Sequence, residues 1–316
     1  MATRSTRPVP GGLKLVAPSG PDGRVAAVGP RERVQGTFAT HHVFRRVTQL
    51  GFAAFIAFVT IQHVAGGETG TTASPEAFCP FGGVESLYRY VTSGGQFVPH
   101  THLSNVVVLV ALLLTTFLVR NAFCGWICPL GLLQEVVSSL GAFLQMRVSP
   151  VRSTVRTIRG RGARLAAIDR PLRLLKYGVL LWAVGGAAVY GKMVFRDYDP
   201  WAALLNVAEL SLIPGLVVLA VTLVASLFVE RPWCRYACPL GAVTGMVGRL
   251  SPIYLKREPS VCRSCALCTR SCPMGLPVDS ADTIESPDCI GCLECVGSCP
   301  RRGALDLRLG IPLAGK

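Results

Sequence analysis

The segment CRSCALCTRSCP at Cys262–Pro273 is followed by CIGCLECVGSCP at Cys289–Pro300. Both have the spacing Cys-x2-Cys-x2-Cys-x3-Cys-Pro, which is typical of bacterial two-cluster ferredoxins. In that arrangement three close thiolates hold one [4Fe–4S] cluster, and the fourth cysteine ligates the other cluster. The predicted ligand sets are Cys262, Cys265, Cys268 and Cys299 for the first cluster, and Cys289, Cys292, Cys295 and Cys272 for the second.

Zinc knuckles and disulfides are the alternative interpretations of these cysteines, and both are less favoured. Zinc sites usually separate their Cys-x2-Cys pairs by a longer loop and have no need of a third close cysteine. No histidine could complete such a site nearby, since the last histidine is His102. A disulfide framework would require an oxidising compartment. The spacing therefore favours two clusters that carry single electrons.

The composition indicates a membrane protein. Of the 316 residues only 16% are charged and the mean hydropathy is +0.45, whereas soluble domains average about 25% charged residues. The formal net charge of +14 would suggest nucleic acid in a soluble protein. Here the basic residues cluster in particular loops, which is typical of membrane topology. We therefore expect a lipid bilayer as partner and no nucleic acid.

Four apolar stretches are long enough to span a bilayer, which takes about 20 residues. They are Val47–Ala65, Leu103–Val119, Leu172–Tyr190 and Leu212–Val229. Basic residues are abundant before the first stretch, between the second and third, and after the fourth, and they are scarce in the other two loops. The positive-inside rule then places both termini, and the cluster segment, on the cytoplasmic side of a prokaryotic plasma membrane, crossed several times.

The predicted fold class is a mainly α membrane protein with a small α+β two-[4Fe–4S] ferredoxin-like domain. Residues 1–40 form a disordered cytoplasmic tail, 41–250 a four-helix transmembrane module, 251–310 the ferredoxin domain and 311–316 a tail. The paired Arg45 and Arg46 resemble a twin-arginine signal, but flanking charges of an uncleaved first span are favoured. The basic loop Arg147–Arg173 is interpreted mainly as a topology marker, and the carboxylates between the cluster segments as an exposed acidic connection.

The membrane module contains a repeat. Phe123–Gly131 reads FCGWICPLG and Trp233–Gly241 reads WCRYACPLG, each after an apolar stretch of the same orientation. This predicts two parallel pseudo-repeats related by an axis along the membrane normal. Cys-x3-Cys on a helical turn would place both sulfurs on one face, and the following proline suits the start of a new helix. The candidate metal or redox residues are Cys124, Cys128, Cys234 and Cys238.

The role of these four cysteines stays open at this stage, between a metal site, a dithiol–disulfide pair and ordinary buried cysteines. Cys79 has no cysteine partner on its predicted side of the membrane, which leaves packing, a cofactor contact or a dimer link. His63, near the outer end of the first span, could contact a quinol headgroup. A surface histidine is favoured over that role, and haem is disfavoured because it requires paired axial ligands.

Taken together, the motifs resemble the NapH/NosR/CcoG-type membrane polyferredoxins, with a layout closest to NapH. The resemblance rests on the two Cys-x3-Cys-Pro-Leu-Gly motifs, the Cys79–Gly83 segment and the two ferredoxin segments, and it covers about Arg45 to Leu307. It implies an electron-transfer component of an oxidoreductase system, working between a quinone pool or cytoplasmic donor and a respiratory or maturation partner. It leaves the partner protein unidentified.

Three functional hypotheses follow. The first is an integral membrane electron-transfer protein with two [4Fe–4S] clusters, supplied by a membrane donor such as quinol or by a cytoplasmic donor. The second, suggested by the CcoG-like members, is a copper-reducing or cofactor-assembly factor in which the Cys-x3-Cys thiols bind the metal. The third is a structural anchor for a partner enzyme, whose clusters no physiological donor reduces.

Overall fold

The computed structural model describes residues 39–66, 81–84, 86–87, 103–147, 169, 171–190, 194–205, 213–301 and 303–310. Nine helices of the helical module have assigned bounds. They are α1 (Ala39–Gly66), α2 (Leu103–Val119), α3 (Ala122–Trp126), α4 (Pro129–Arg147), α5 (Leu175–Tyr190), α6 (Pro200–Leu205), α7 (Ile213–Ser226), α8 (Pro232–Tyr236) and α9 (Pro239–Gly248). A 3-10 turn at Arg196–Tyr198 precedes α6.

The predicted repeat is visible in the succession of helices. An apolar helix, a five-residue helix and a third helix that begins at proline follow one another in both halves, as α2, α3 and α4 and again as α7, α8 and α9. The two halves also exchange contacts, because α4 packs against α7 while α9 packs against α2. The last helix of each half therefore packs against the first helix of the other half, as expected for two units related by a pseudo-twofold axis.

The prediction that each Cys-x3-Cys pair lies on one helical turn is wrong in detail. The first cysteine of each pair lies in a short helix, α3 or α8, but the second lies after that helix has ended. Cys238 has extended backbone angles (φ −70°, ψ 112°). The physical reason is the proline that follows, which disfavours the helical conformation in the preceding residue. The proline itself begins the next helix, as expected, at Pro129 and Pro239.

Apolar helices occupy all four positions where spans are predicted, but they differ in length. Within the described residues only α1 is long and apolar enough to cross a membrane, over His42–Gln62. The other three, α2, α5 and α7, have 17, 16 and 14 residues. The prediction of four membrane-spanning helices is therefore supported in its helical part only.

The C-terminal part forms a small α+β domain. Strands β1 (Ile253–Arg257), β2 (Thr283–Ile284) and β3 (Leu305–Leu309) make an antiparallel sheet in the order β2-β1-β3. The central residue Leu255 is buried and pairs with Ile284 on one side and Leu307 on the other. Two one-turn helices, α10 (Leu267–Arg270) and α11 (Glu294–Gly297), pack against each other beside the sheet. This sheet fixes the loops that carry the cysteines.

Candidate iron–sulfur and thiol sites

The two cysteine segments of the ferredoxin domain have the same backbone conformation. Ser264 and Ala266 in the first segment, and Gly291 and Leu293 in the second, all have φ between 50° and 58°. A left-handed residue between successive cysteines turns the chain sharply, and in non-glycine residues it costs free energy. Both segments therefore adopt strained backbone conformations that place three cysteines around one point.

The first predicted ligand set surrounds one small cavity. Its lining includes all four predicted cysteines, Cys262, Cys265, Cys268 and Cys299. Each is partly exposed. The site therefore lies near the surface of the ferredoxin domain, where a second protein could approach it.

The second predicted set surrounds a separate cavity. Cys272, Cys289, Cys292 and Cys295 line it together with buried apolar side chains of the sheet and loops. Cys289, Cys292 and Cys295 are all buried. The structure thus brings together each set of four across the two segments, with the fourth cysteine crossing to the other segment.

The donor chemistry of both sets fits [4Fe–4S] clusters. Soft thiolates are the preferred ligands of iron–sulfur clusters, and hydrogen bonds to the sulfurs help to set the cluster potential. Burial raises the pKa of Cys292 to about 12 and also raises the pKa of Cys295. Such thiols would stay protonated at neutral pH unless a cation compensated their charge, and coordination to iron would do so.

The ferredoxin domain is docked on the helical module through backbone carbonyls. Arg120 donates hydrogen bonds to Ile284 O (2.6 Å) and Ser286 O, Asn121 donates to Pro287 O (3.0 Å), and Trp126 Nε1 donates to Gly291 O (3.0 Å). Arg120 also has a positive φ of 59°. These contacts fix the second cysteine set beside α3.

Gly125, between Cys124 and Cys128, is the point of closest approach. A Cβ on this residue would lie less than 3.0 Å from the carbonyl oxygen of Ile290 and 3.4 Å from the backbone of Cys292. Its own carbonyl oxygen accepts hydrogen bonds from Arg45 Nε (2.8 Å) and Gln49 Nε2 (3.0 Å). The Cys-x3-Cys motif of the first repeat therefore contacts the ferredoxin domain directly.

A network of buried ion pairs joins α1 to α4, to α11 and to the residue before α8. Arg45 is 2% exposed and pairs with Glu135 of α4 and with Glu294 of α11 (2.6 Å). Arg231 is fully buried and pairs with the same Glu135 (2.8 Å). Arg46, in contrast, is 48% exposed and reaches Glu135 at 3.4 Å. The two arginines of the dipeptide therefore have different surroundings, because the fold buries Arg45 between three helices and leaves Arg46 exposed.

The acidic connection between the cysteine segments also differs from expectation. Asp288 is buried and pairs with Lys176 and with Arg173 (2.9 Å). Asp279 accepts a hydrogen bond from Thr269 (2.6 Å), and Asp282 pairs with Arg257. Of the three, Asp288 ties the ferredoxin domain to the helical module, whereas Asp279 and Asp282 bond within the domain and Asp282 is exposed, as expected.

The four cysteines of the repeat motifs converge on a third cavity, of about 210 Å³. The cavity is lined mainly by apolar side chains and reaches from Lys176, near the start of α5, to Phe195, beyond its end. Phe81, in the segment after Cys79, lies in the same lining and packs edge-on against Phe195 (ring centroids 4.9 Å apart). The sequence places the four cysteines in a repeat, and the structure places them around one space.

Two remaining predicted site residues are only partly described. Cys79 lies outside the described residues. His63 lies in α1, and its side chain is also outside what the structure describes. The residues that sequence reasoning missed are Arg45, Gly125 and Asp288. A signal was available only for Gly125, which lies inside a repeated cysteine motif.

An acid-sensitive contact holds the segment before α5. Burial alone would raise the pKa of Asp169, but hydrogen bonds from Arg235, Tyr236 and Arg173 outweigh it and hold the pKa at about 2. Because the folded pKa lies below the unfolded value of about 3.9, this contact stabilises the fold above about pH 4 and is lost as the pH falls toward 2. Asp169→Asn should therefore cost about 1 kcal/mol at pH 7, a modest value because solvent screens the group.

The thermal unfolding midpoint of the purified protein, followed between pH 7 and pH 3, measures this effect. The wild type should lose stability faster than the variant across that range. Equal slopes would contradict the assigned role of Asp169.

Comparisons with known proteins agree with this geometry. A family model described as a 4Fe-4S binding domain matches residues 101–147 and again 211–257, and one described as a 4Fe-4S dicluster domain matches residues 254–300. The first model matches twice, once on each half of the repeat. No solved structure matches significantly.

Several curated relatives cover much of the chain. YccM of Escherichia coli (strain K12), whose name links it to electron transport, is 31% identical over 291 residues, which is 86% of this chain and 77% of that protein. The ferredoxin-type protein NapH of Haemophilus influenzae is 29% identical over 58% of this chain and 60% of its own length. The regulatory protein NosR of Pseudomonas aeruginosa is 29% identical over 56% of this chain, but only 23% of its own length is matched.

The resemblance expected from the motifs is therefore confirmed over most of the chain. The 4Fe-4S binding models fall on the segments whose cysteines line the three cavities. The name of YccM refers to electron transport and that of NapH to a ferredoxin type. On these grounds the chain belongs to the NapH/NosR-type family of iron–sulfur polyferredoxins.

Proposed function

We propose that this chain is an integral membrane protein that passes single electrons between a donor at the membrane and a redox partner protein. The observation that carries the proposal is the grouping of eight cysteines, by the predicted sets of four, around two cavities of one small domain. When bound, two [4Fe–4S] clusters supply one-electron transfer. The residues of the chain hold them, bury them to different depths and set what can approach them.

The two sites differ in a way that suits a relay. The first set of cysteines is partly exposed, so its side of the domain is open to a soluble or membrane-bound partner. The second set is mostly buried and lies against α3. The first site therefore serves the partner, and the second serves the helical module.

Outward-facing apolar side chains support a membrane setting. Large hydrophobic residues are more than half exposed along all four predicted spans, including Ile61 in α1, Val107 in α2, Leu181 in α5 and Val221 in α7. A soluble monomer rarely exposes apolar surface on this scale. We propose that lipid covers these faces in a cytoplasmic membrane, that all four helices cross it, and that both termini and the cluster domain lie on the cytoplasmic side.

Quinol is the donor that best suits the third cavity. Phe52 and Phe55 of α1 contribute to its lining and are themselves partly exposed on the outer face of that helix. Trp201 belongs to the cavity lining. Its indole Nε1 is buried and has no hydrogen-bond partner among the described residues. An apolar pocket with one unpaired donor suits the ring of a quinol and one of its oxygens.

Trp201→Phe tests this assignment, because it removes the indole N–H and keeps an aromatic ring. Reduction by menaquinol should slow by about tenfold, in line with the loss of one hydrogen bond of about 1.4 kcal/mol. Reduction by dithionite should be unchanged. Trp182→Phe, on a partly exposed residue outside the cavity lining, is the matched control. Equal menaquinol rates in wild type and Trp201→Phe would contradict the assignment.

Copper reduction or cofactor assembly is the second candidate function. Thiols select Cu(I) among the biological metals, and four thiols line the third cavity. The eight cysteines around the two cavities of the ferredoxin domain, however, account for one-electron transfer without copper. Electron transfer is therefore the favoured proposal, and copper binding at the third cavity is the alternative.

Iron and sulfide analysis of the protein, purified in detergent without oxygen, tests the main proposal. Cys265→Ser and Cys295→Ser should each remove about four irons, because each breaks one ligand set, with Ser139→Ala as a matched surface control. Electron paramagnetic resonance after addition of menaquinol should show reduced clusters. Clusters that dithionite reduces but no quinol or cytoplasmic donor reduces would support the structural-anchor hypothesis instead. A protein that binds no iron after anaerobic loading would end the proposal.

A further inference from the structure

The cavity between the repeats is built around four thiols. Cys124 and Cys128 come from the first repeat, Cys234 and Cys238 from the second, and all four lie in the lining of the same space. All four are free thiols, so no disulfide closes either pair. A space of about 210 Å³ holds a group much larger than a single ion, which needs less room than the roughly 30 Å³ of one water.

The two halves present their second cysteine in the same way. The Gly241 amide donates a hydrogen bond to Cys238 Sγ (3.3 Å), and Gly131 follows Cys128 at the same three-residue spacing, at the start of α4. The first cysteine of the second repeat, Cys234, accepts from the buried Gln134 Nε2 (3.6 Å). Hydrogen bonds to sulfur of this kind stabilise cluster-bound thiolates and tune their potential.

Buried cations lie beside the four cysteines. The guanidinium of Arg231 is fully buried, pairs with Glu135 and donates a hydrogen bond to the carbonyl oxygen of Cys124 (2.5 Å). Lys176 lies in the cavity lining and pairs with Asp288. Four thiolates around a [4Fe–4S] core leave a net negative charge, so buried cations beside the sulfurs lower the cost of placing it in an apolar interior.

The third cavity adjoins the second ferredoxin site. Ile290 and Met274 line both cavities, so two side chains form a common wall. Cys124 packs against the apolar core around the second cysteine set. A group held by the four thiols would therefore adjoin the second cysteine set, with the side chains of Ile290 and Met274 between them.

From this arrangement we propose that Cys124, Cys128, Cys234 and Cys238 would hold a third [4Fe–4S] cluster, beside the second cysteine set of the ferredoxin domain. The inference deepens the proposed electron-transfer function, because it supplies the site between the membrane donor and the ferredoxin domain. The four cysteines are the ligands, and Gln134 and Arg231 are positioning residues beside the sulfurs. The apolar, aromatic part of the cavity remains for the donor.

Iron content separates three clusters from two. The wild-type protein, purified anaerobically and reconstituted with iron and sulfide, should contain about twelve irons per chain. Cys128→Ser/Cys238→Ser should contain about eight and keep the signals of the ferredoxin domain. Cys292→Ser/Cys295→Ser should lose about four irons while keeping those of the repeat cysteines. Copper is measured in the same samples.

The possible outcomes are distinct. About eight irons in the wild type, unchanged in Cys128→Ser/Cys238→Ser, would overturn the third site and leave the two-cluster function intact. Copper in place of iron at the repeat cysteines would also overturn it. About four irons in the wild type, all lost in Cys128→Ser/Cys238→Ser, would support the third site and refute the ferredoxin sites. If the double variant fails to fold, the iron count and spin quantification of the wild type still decide between two and three clusters.

Discussion

Gly125→Ala is expected to undock the ferredoxin domain, although alanine is the better helix former. In the short helix α3 the exchange alone should stabilise the protein by up to about 1 kcal/mol. The added Cβ, however, would lie less than 3.0 Å from the backbone oxygen of Ile290 and would press on the loop of Cys292. Neither is the end of a flexible side chain, so the loop has to move. We expect loss of about half of the ferredoxin-domain iron and a fall of several degrees in the thermal midpoint.

Gly178→Ala is the matched control for this prediction. Gly178 also lies in a helix, α5, and a Cβ there would meet nothing within 4 Å. Iron content, absorbance near 400 nm and limited proteolysis at the domain connection compare the two variants. Normal iron and proteolysis in Gly125→Ala would show that the two parts are not held as closely as the structure indicates.

Arg45→Ala should destabilise the protein by about 2–3 kcal/mol, below the range of about 3–5 kcal/mol for a buried charge left without a partner, because Glu135 keeps its ion pair with Arg231. The substitution removes the contact of Glu135 and Glu294 with Arg45, and it leaves the carbonyl of Gly125 with one donor fewer. Because Glu294 begins α11, beside Cys295, we also expect faster loss of the second cluster on exposure to air. Chemical unfolding in detergent, followed by tryptophan fluorescence, measures the stability change.

Arg46→Ala provides the control within the same dipeptide. The side chain of Arg46 is 48% exposed and approaches Glu135 from solvent, so we expect a loss of less than about 1 kcal/mol. Because Arg45 and Arg46 carry the same charge, the ratio of the stability losses in the two variants tests the effect of burial. Similar losses for Arg45→Ala and Arg46→Ala would show that the network is solvated and that Arg45 is an ordinary flanking charge.

The cysteine spacing predicted much of the site. Three cysteines separated by two residues each can follow only a tight loop around one point, so the spacing alone groups Cys262 with Cys265 and Cys268. The apolar stretches similarly predicted the positions of α1, α2, α5 and α7. Local pattern suffices in both cases, because each feature depends on residues close together in the chain.

The docking of the domain could not be predicted in the same way. Arg45 and Glu294 lie 249 positions apart, and Lys176 and Asp288 lie 112 apart. Nothing in the local sequence distinguishes Arg45 from Arg46, because which of the two is buried depends on how α1 rotates against α4. The conformation of Cys128 and Cys238 was predictable in principle, from the proline after each.

The exchange of α4 and α9 between the two repeats bears on the history of the protein. Since each half packs its own helix against the other half, a single repeat would leave apolar surface and two thiols without their complement. A half-length ancestor could have met this need by pairing with a second copy of itself. Fusion of two such copies into one gene would then have freed each half to diverge. The first motif now meets the ferredoxin domain through Gly125 and Trp126, and the second, with Arg235 and Tyr236 at those positions, meets it through the Arg235 guanidinium at Gly275.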